Sequence, residues 1–296
     1  MNTSTSKFVS LVLGLLLVGS AAGGAASRVE GAEVRRVSER LIPFQPGGEL
    51  RIEDKNGRIT VEGWPRHEVR IQITRVVRAE GATKAEALMK ELTAEVEVRT
   101  GRIDVMSRFP RRRESIGIWD ILGRKVASLQ INYYIQVPTK TDVVLETSNG
   151  EVRARGLEGR LDAKTTNGDM HVGEVKGDVT LNTTNGEIEL TGVSGEVSAL
   201  TTNGSVVAEV REVAPKGRIE LGTTNGNVEA YFPAALKAGL EAYTTNGRVT
   251  VGFPVTIEGV RSSKSIRGTI NGGGAKITLS TTNGNVDVRR IGERRR

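Results

Sequence analysis

The side chains best suited to chemistry are carboxylates that recur in step with a repeat, together with two histidines. Glu151, Asp169 and Glu187 stand 18 residues apart, and Asp162, Asp178 and Glu196 form a second set. A sheet face lined with carboxylates is where a polysaccharide lyase or hydrolase would work, but glycosidic cleavage needs two carboxyls held in different environments. Here the acids alternate with Arg153, Arg160 and Lys164, the pattern of a charged solvent face. His67 and His171 have neither a neighbouring nucleophile nor a ligand-spaced partner, and there is no Cys, which excludes disulfides, thiol catalysis and Cys-ligated zinc. The aspartate of the calcium-binding nonapeptide and the glycine-rich phosphate loop are missing too. The sequence therefore assigns no catalytic residue, metal ligand or cofactor. A carbohydrate-active enzyme using one sheet face stands as the alternative to a binding module.

The elements that would position any such face are built on Thr-Thr-Asn-Gly. This tetrapeptide occurs at 165–168, 183–186, 201–204, 223–226, 244–247 and 281–284, with the variant Thr147-Ser148-Asn149-Gly150 ahead of it. The steps between Asn149, Asn167, Asn185, Asn203, Asn225, Asn246 and Asn283 are 18, 18, 18, 22, 21 and 37 residues. Counted from Asn149, Asn167 and Asn185, the offsets +3, +5, +8, +12 and +14 hold fifteen residues, and all are apolar. Each unit is thus two short alternating strands and two turns, with too few inward side chains to bury its own inner face. Stacking the units in parallel register solves this: the expectation is an all-β parallel β-solenoid, each coil lying on the last, with about seven coils at ~4.8 Å making a rod a little over 30 Å long. An antiparallel meander with Asn-Gly hairpins is the rival topology. The asparagines read as structural corners, where positive φ suits Gly and is tolerated by Asn, and where amides can bond coil to coil. A threonine array facing ice or glycan is the competing reading. It is disfavoured because the Thr pairs precede a corner.

Relative to 18, the later steps carry 4, 3 and 19 extra residues, each falling opposite the Thr-Thr-Asn-Gly corner. Insertions gathered on one edge of a repeat protein often mark its binding side. That edge is basic: Arg211, Lys216, Lys237, Arg261, Lys264 and Arg267 are opposed by Glu212 and Glu258. Solvated loops would be charged anyway, so the same residues also fit a plain surface.

Ahead of the repeats, residues 34–138 form a β-rich region. Leu50, Ile52 and Ile59, Val61 read as paired strands about a tight Asn56-Gly57 turn, followed by a strand with Val69, Ile71 and Ile73. A short helix near 83–92 is expected, with Thr83 as cap, Glu86 as its capping-box partner and Ala87, Leu88 and Leu92 as the apolar stripe. Strands follow at 95–100, 102–107 and 130–137. Between the last two, residues 108–125 mix Arg111, Arg112, Arg113, Arg124 and Lys125 with Trp119 and aliphatic neighbours. That mixture fits an interfacial membrane contact or a long loop folded back on the sheet. Residues 1–26 have the layout of a secretory signal, with an apolar run from Phe8 to Val18 and small residues up to Ala26. Retention as an anchor is the other option. Residues 139–291 carry the repeats and 292–296 a basic tail. The formal charge of +7 becomes +6 without Lys7. An exported cationic protein meets anionic glycans and lipid head groups, or another envelope protein, before it meets nucleic acid.

Residues 56–64 (Asn-Gly-Arg-Ile-Thr-Val-Glu-Gly-Trp), 134–138 (Tyr-Ile-Gln-Val-Pro), 165–172, 270–274 (Ile-Asn-Gly-Gly-Gly) and 281–288 together resemble the bacterial DUF4097 family, a group of candidate β-strand-repeat adhesins. The resemblance spans about 34–288. It places Ile59, Val61 and Trp64 at the +3, +5 and +8 offsets from Asn56, an early coil-like unit. It implies an exported bacterial β-solenoid acting as an envelope scaffold or binding module, periplasmic or extracellular, and brings no catalytic residues with it. The family pattern says nothing of residues 108–125 or the terminal Arg294-Arg295-Arg296.

Overall fold

The computed structural model describes residues 31–110, 128–258 and 262–293. Alternation of buried and exposed residues along short strands produces two facing sheets, a front sheet of 11 strands and a back sheet of 12. Every coil sends the strand before its corner Asn into the back sheet and the strand after it into the front sheet, as Asp142–Glu146 and Val152–Arg155 do on either side of Asn149. Equivalent residues lie side by side in parallel register: Leu161 beside Val179, Val197 and Ile219 in one sheet, and Met170 beside Ile188, Val206 and Val228 in the other. The fold is the parallel solenoid, and the meander is excluded. None of the fifteen periodic apolar residues is more than 3% exposed. Full burial of a Val, Leu or Ile side chain contributes roughly 1.5–3 kcal/mol, so each coil adds several such increments while its main chain bonds to both neighbours.

The stack is longer than seven coils. Glu49–Glu53 and Ile59–Trp64 belong to opposite sheets, so Asn56-Gly57 joins two layers and is not a hairpin turn. Asn56 bridges Asn149 in parallel, Leu50 lies beside Val143, and Ile59 beside Val152. Arg102–Arg108 and Ser128–Pro138 add another parallel layer. Antiparallel strands Glu68–Glu80 and Gly31–Pro43 then extend the front sheet, and Thr93–Arg99 the back. At ~4.8 Å per strand, eleven strands span about 50 Å.

The helix runs Ala82–Glu91, and its cap differs from the sequence expectation. Gly81, at φ 90°, precedes it with no side-chain cap, while Glu86 bonds Arg36 at 2.6 Å instead of closing a capping box. The face turned to the core carries Ala85 and Met89, continued by Leu92 beyond the last turn. Ala87 is exposed and Leu88 only half-buried.

The other difference is at the far end. Coils do not stack in chain order: the Asn283 coil sits between the Asn225 and Asn246 coils in both sheets. The long step between Asn246 and Asn283 makes this possible. Val255–Ile257 and Ser265–Ile270 form an antiparallel hairpin that pairs with Ala238–Asn246 and covers the edge of the back sheet. The chain then returns on the inner side.

Candidate functional site

The Thr-Thr-Asn-Gly edge is a continuous hydrogen-bonded file. Asn167 donates from Nδ2 to Asn149 Oδ1 at 2.8 Å, and the same link runs 185 to 167, 203 to 185, 225 to 203, 283 to 225 and 246 to 283, none longer than 2.9 Å. Just inside it, Thr201, Thr223, Thr281 and Thr244 donate from Oγ1 to Gly186, Gly204, Gly226 and Gly284 carbonyls at 2.8–3.1 Å. The glycine is needed less for its φ than for proximity. A Cβ on Gly168, Gly186 or Gly204 would lie 2.0 Å from the glycine carbonyl of the preceding coil, and Gly150, whose φ is not left-handed, would clash at 1.8 Å. None of the corner asparagines has positive φ, which corrects that part of the sequence reading.

A parallel file occupies the second position after each Asn, the stacked positions noted in the sequence, and its bonding to the backbone of the next coil was not foreseen there. Asp169 accepts the Glu187 N–H at 2.9 Å, Asn227 that of Asn285 at 2.9 Å, and Asn285 that of Arg248 at 3.0 Å. On the opposite edge Asp142 accepts the Arg160 N–H at 2.8 Å. Short polar side chains bonding local backbone are a recognisable turn signal. Two of the carboxylates that looked available for chemistry, Asp169 and Asp178, are thereby engaged by the next coil.

His171 lies on the outer front face between two glutamates of the neighbouring coils, with Nδ1 3.0 Å from Glu189 and Nε2 3.5 Å from Glu151. It helps line a shallow groove of about 540 Å³ with Arg58, Glu62, Arg153, Arg155 and Thr191. Charges there are matched: Arg58 to Glu151 at 2.8 Å, Arg153 to Glu151 at 2.5 Å and Arg155 to Glu62 at 2.9 Å. Among the described residues no group of three or more His, Asp or Glu could hold a metal ion.

At the first corner the Thr position is taken by Asp54, only 7% exposed. Ser107 Oγ donates to one carboxyl oxygen and lies 2.7 Å from the Tyr133 hydroxyl. Burial pushes the Asp54 carboxyl above its usual range against the pull of Ser107, and burial pushes the Tyr133 phenol up as well. Asp54 Oδ2, Thr147 Oγ1 and Thr165 Oγ1 have no hydrogen-bond partner among the described residues.

The edge opposite the asparagines carries a cluster of a different kind. The Lys276 N–H donates to the Gly217 carbonyl at 2.9 Å and the Ala275 N–H to the Lys237 carbonyl at 3.1 Å, while Arg218 and Lys276 are register partners. Arg218 and Lys276 lie at the starts of adjacent strands, and Lys216 and Lys237 in the connections just before the first and third of three adjacent strands, so the four fall within roughly 10 Å along the axis. All four are exposed, and none makes an ion pair with a described residue.

The sequence profile of the family described as Toastrack DUF4097 matches residues 41–289. This chain belongs to that family. Among solved structures, the Toastrack chain is similar to a candidate cell adhesion protein from Clostridium sporogenes, at 13% identity, covering 86% of this chain and 100% of that one with a TM-score of 0.35. A candidate adhesin from Bacteroides fragilis matches at 12% identity over 86% and 97%, TM-score 0.37, and a candidate lipid-binding protein from Parabacteroides distasonis at 13% over 86% and 96%, TM-score 0.28. At these scores the likenesses carry nothing about function. No curated protein matches the chain.

Of the basic residues singled out in the sequence, the Toastrack fold brings Lys216 and Lys237 together and disperses the rest. Arg211 pairs with Glu209 at 3.3 Å, and Arg267 pairs with Glu241 on the outer back face. Lys264 is carried by the antiparallel hairpin to the asparagine edge, where its Nζ bonds the Thr245 carbonyl at 2.7 Å. Arg261, Arg111, Arg112, Arg113 and Trp119 lie outside the described residues, as do residues 1–26 and the terminal arginines; Phe109, at the start of the basic segment, packs on the core. Arg218 and Lys276 were missed because they are 58 residues apart in sequence and become neighbours only through the displaced coil.

Proposed function

We propose that this protein is an exported, non-enzymatic module of the cell envelope that binds an anionic glycan along the basic edge formed by Lys216, Arg218, Lys237 and Lys276. The carrying observation is that these four cations are adjacent and unneutralised, whereas the groove around His171 balances its own charges. Cations at strand spacing along a narrow edge suit an extended polyanion. A lipid surface is the second source of such charge, but interfacial binding wants large apolar side chains beside the basic ones, and the exposed large apolar residues described, Leu41, Val98, Leu200, Tyr243 and Ile291, are not in this cluster. Export rests on the signal-like residues 1–26. No helix among the described residues is long and apolar enough to cross a membrane.

The test is retention of the purified protein on immobilised uronic-acid or sulfated polysaccharide and on anionic vesicles, as salt is raised. Retention on polysaccharide that weakens with salt, and that is lost when all four cations are changed to Glu, supports the proposal. Absence of retention at low salt sinks it. Stronger retention on vesicles would redirect it to lipid, and release of reducing or unsaturated sugar ends would favour the enzyme reading instead.

A further inference from the structure

We propose that the place between the Asn225 and Asn246 coils is a strand-exchange site, at which the segment Ala275–Arg290 of one copy is received by a second copy of this chain. In the monomer that segment pairs in parallel on both sides, with Arg218–Asn225 and Ala238–Asn246 in the back sheet and with Val228–Phe232 and Val249–Val251 in the front. The coils flanking it present the same corner, Thr223-Thr224-Asn225-Gly226 and Thr244-Thr245-Asn246-Gly247. When the segment leaves, they can close on each other with bonds of the same kind: Thr244 Oγ1 exchanges the Gly284 carbonyl for that of Gly226, and Asn246 Nδ2 exchanges Asn283 Oδ1 for Asn225 Oδ1. The emptied place thus shortens the stack by one coil instead of exposing two unpaired edges, which removes most of the penalty for opening. Chain order makes such a closed state a natural precursor, because the Asn246 coil is synthesised before the coil that later separates it from Asn225.

The hinge is built for the exchange. Four residues, Asn271 to Gly274, join Ser265–Ile270 to Ala275–Asn283. Asn271 is held at φ 49°, with Gly272 and Gly273 both at 84°. Asn accepts the left-handed region more readily than other side chains, and a hinge of only four residues is short enough to favour swapping. A short linker gives the segment a local concentration of roughly millimolar for its own slot, so the monomer dominates in dilute solution and exchange grows with protein concentration.

Position 222 reports on the slot. Gly222 and Ser280 are register partners on the outer back face, and a Cβ at Gly222 would lie 3.2 Å from Ser280 Oγ, close enough for a disulfide. The chain has no Cys of its own. Full-length protein carrying both Gly222→Cys and Ser280→Cys should close the bond within one chain. Two full-length copies with one substitution each and different tags, incubated together at high concentration and then oxidised, should give a heterodimer joining position 222 of one copy to position 280 of the other. Its yield should exceed severalfold that from Ser280→Cys mixed with Lys164→Cys. If the double variant closes while the mixture yields no more than this control, the exchange is refuted. If the double variant does not close, the neighbour relation and the proposal fall together. The readout is independent of glycan binding.

Discussion

The two edges of the solenoid join the same pair of sheets, yet they obey different rules. Along the asparagine edge, from Asn149 to the Asn246 coil, the amides, carbonyls and glycines keep the same relation from coil to coil. The opposite edge begins almost as strictly: a Cβ on Gly177 would lie 2.3 Å from the Gly159 carbonyl, and one on Gly195 2.4 Å from that of Gly177. That glycine file stops at Gly195. In the next coil the insertions start, and with them the unpaired cations. Tolerance for change is therefore set by whether main chain meets main chain at the corner, since a corner closed by a carbonyl against a glycine leaves no room for side chain or insertion.

The sharpest way to break the comparison is Gly204→Val, which drives a side chain into the Gly186 carbonyl 2.0 Å away. We expect a loss above ~4 kcal/mol, or failure to fold, while Ala235→Val on the insertion edge should stay within about 0.5 kcal/mol, both measured by urea unfolding. Asn185→Ala removes one donated and one accepted amide bond from the exposed file, for an expected loss of ~1–2 kcal/mol at unchanged denaturant slope.

Asp54 tests the one corner where Thr is replaced by an acid. Its folded pKa is raised, so the native state holds its proton more tightly than the unfolded chain does. Its destabilising effect is absent below the unfolded value near ~3.9 and grows as pH rises through the folded pKa, by about 1.4 kcal/mol for each unit of displacement. Asp54→Asn should therefore stabilise the protein at neutral pH and lose that advantage at pH 3, as seen in paired thermal melts. A stability gap that does not vary with pH would show that the carboxyl is not the strained group. The smallest structural effect is expected from Lys216→Glu with Lys276→Glu, within ~0.5 kcal/mol in stability but with elution from polysaccharide shifted to lower salt.

The period was legible because fifteen inward positions repeat without exception, and a parallel stack is the arrangement that buries them all. The early coil at Asn56 was visible only through its offsets, since Asn-Gly between two apolar pairs is equally the signature of a hairpin. The helix was visible but its face only in part: Leu92 is buried as expected, whereas Ala85 and Met89 face the core in place of Ala87 and Leu88. Coil order was invisible for a physical reason. Identical corners make every neighbour equally acceptable locally, so nothing in the Asn283 coil itself states which coil it lies on. Half of the cationic cluster was hidden by the same degeneracy, Lys276 reaching Arg218 only once that order is known.

The displaced coil also bears on how the molecule carries tension. In a solenoid stacked in chain order, a pull on the final coil can peel it from a single neighbour, opening hydrogen bonds one after another like a zip. Here tension applied beyond Arg290 acts on a coil clasped on both sides, in each of two sheets. A pull along the strands must shear bonds along two interfaces together, whereas a coil held on one side alone can be peeled bond by bond.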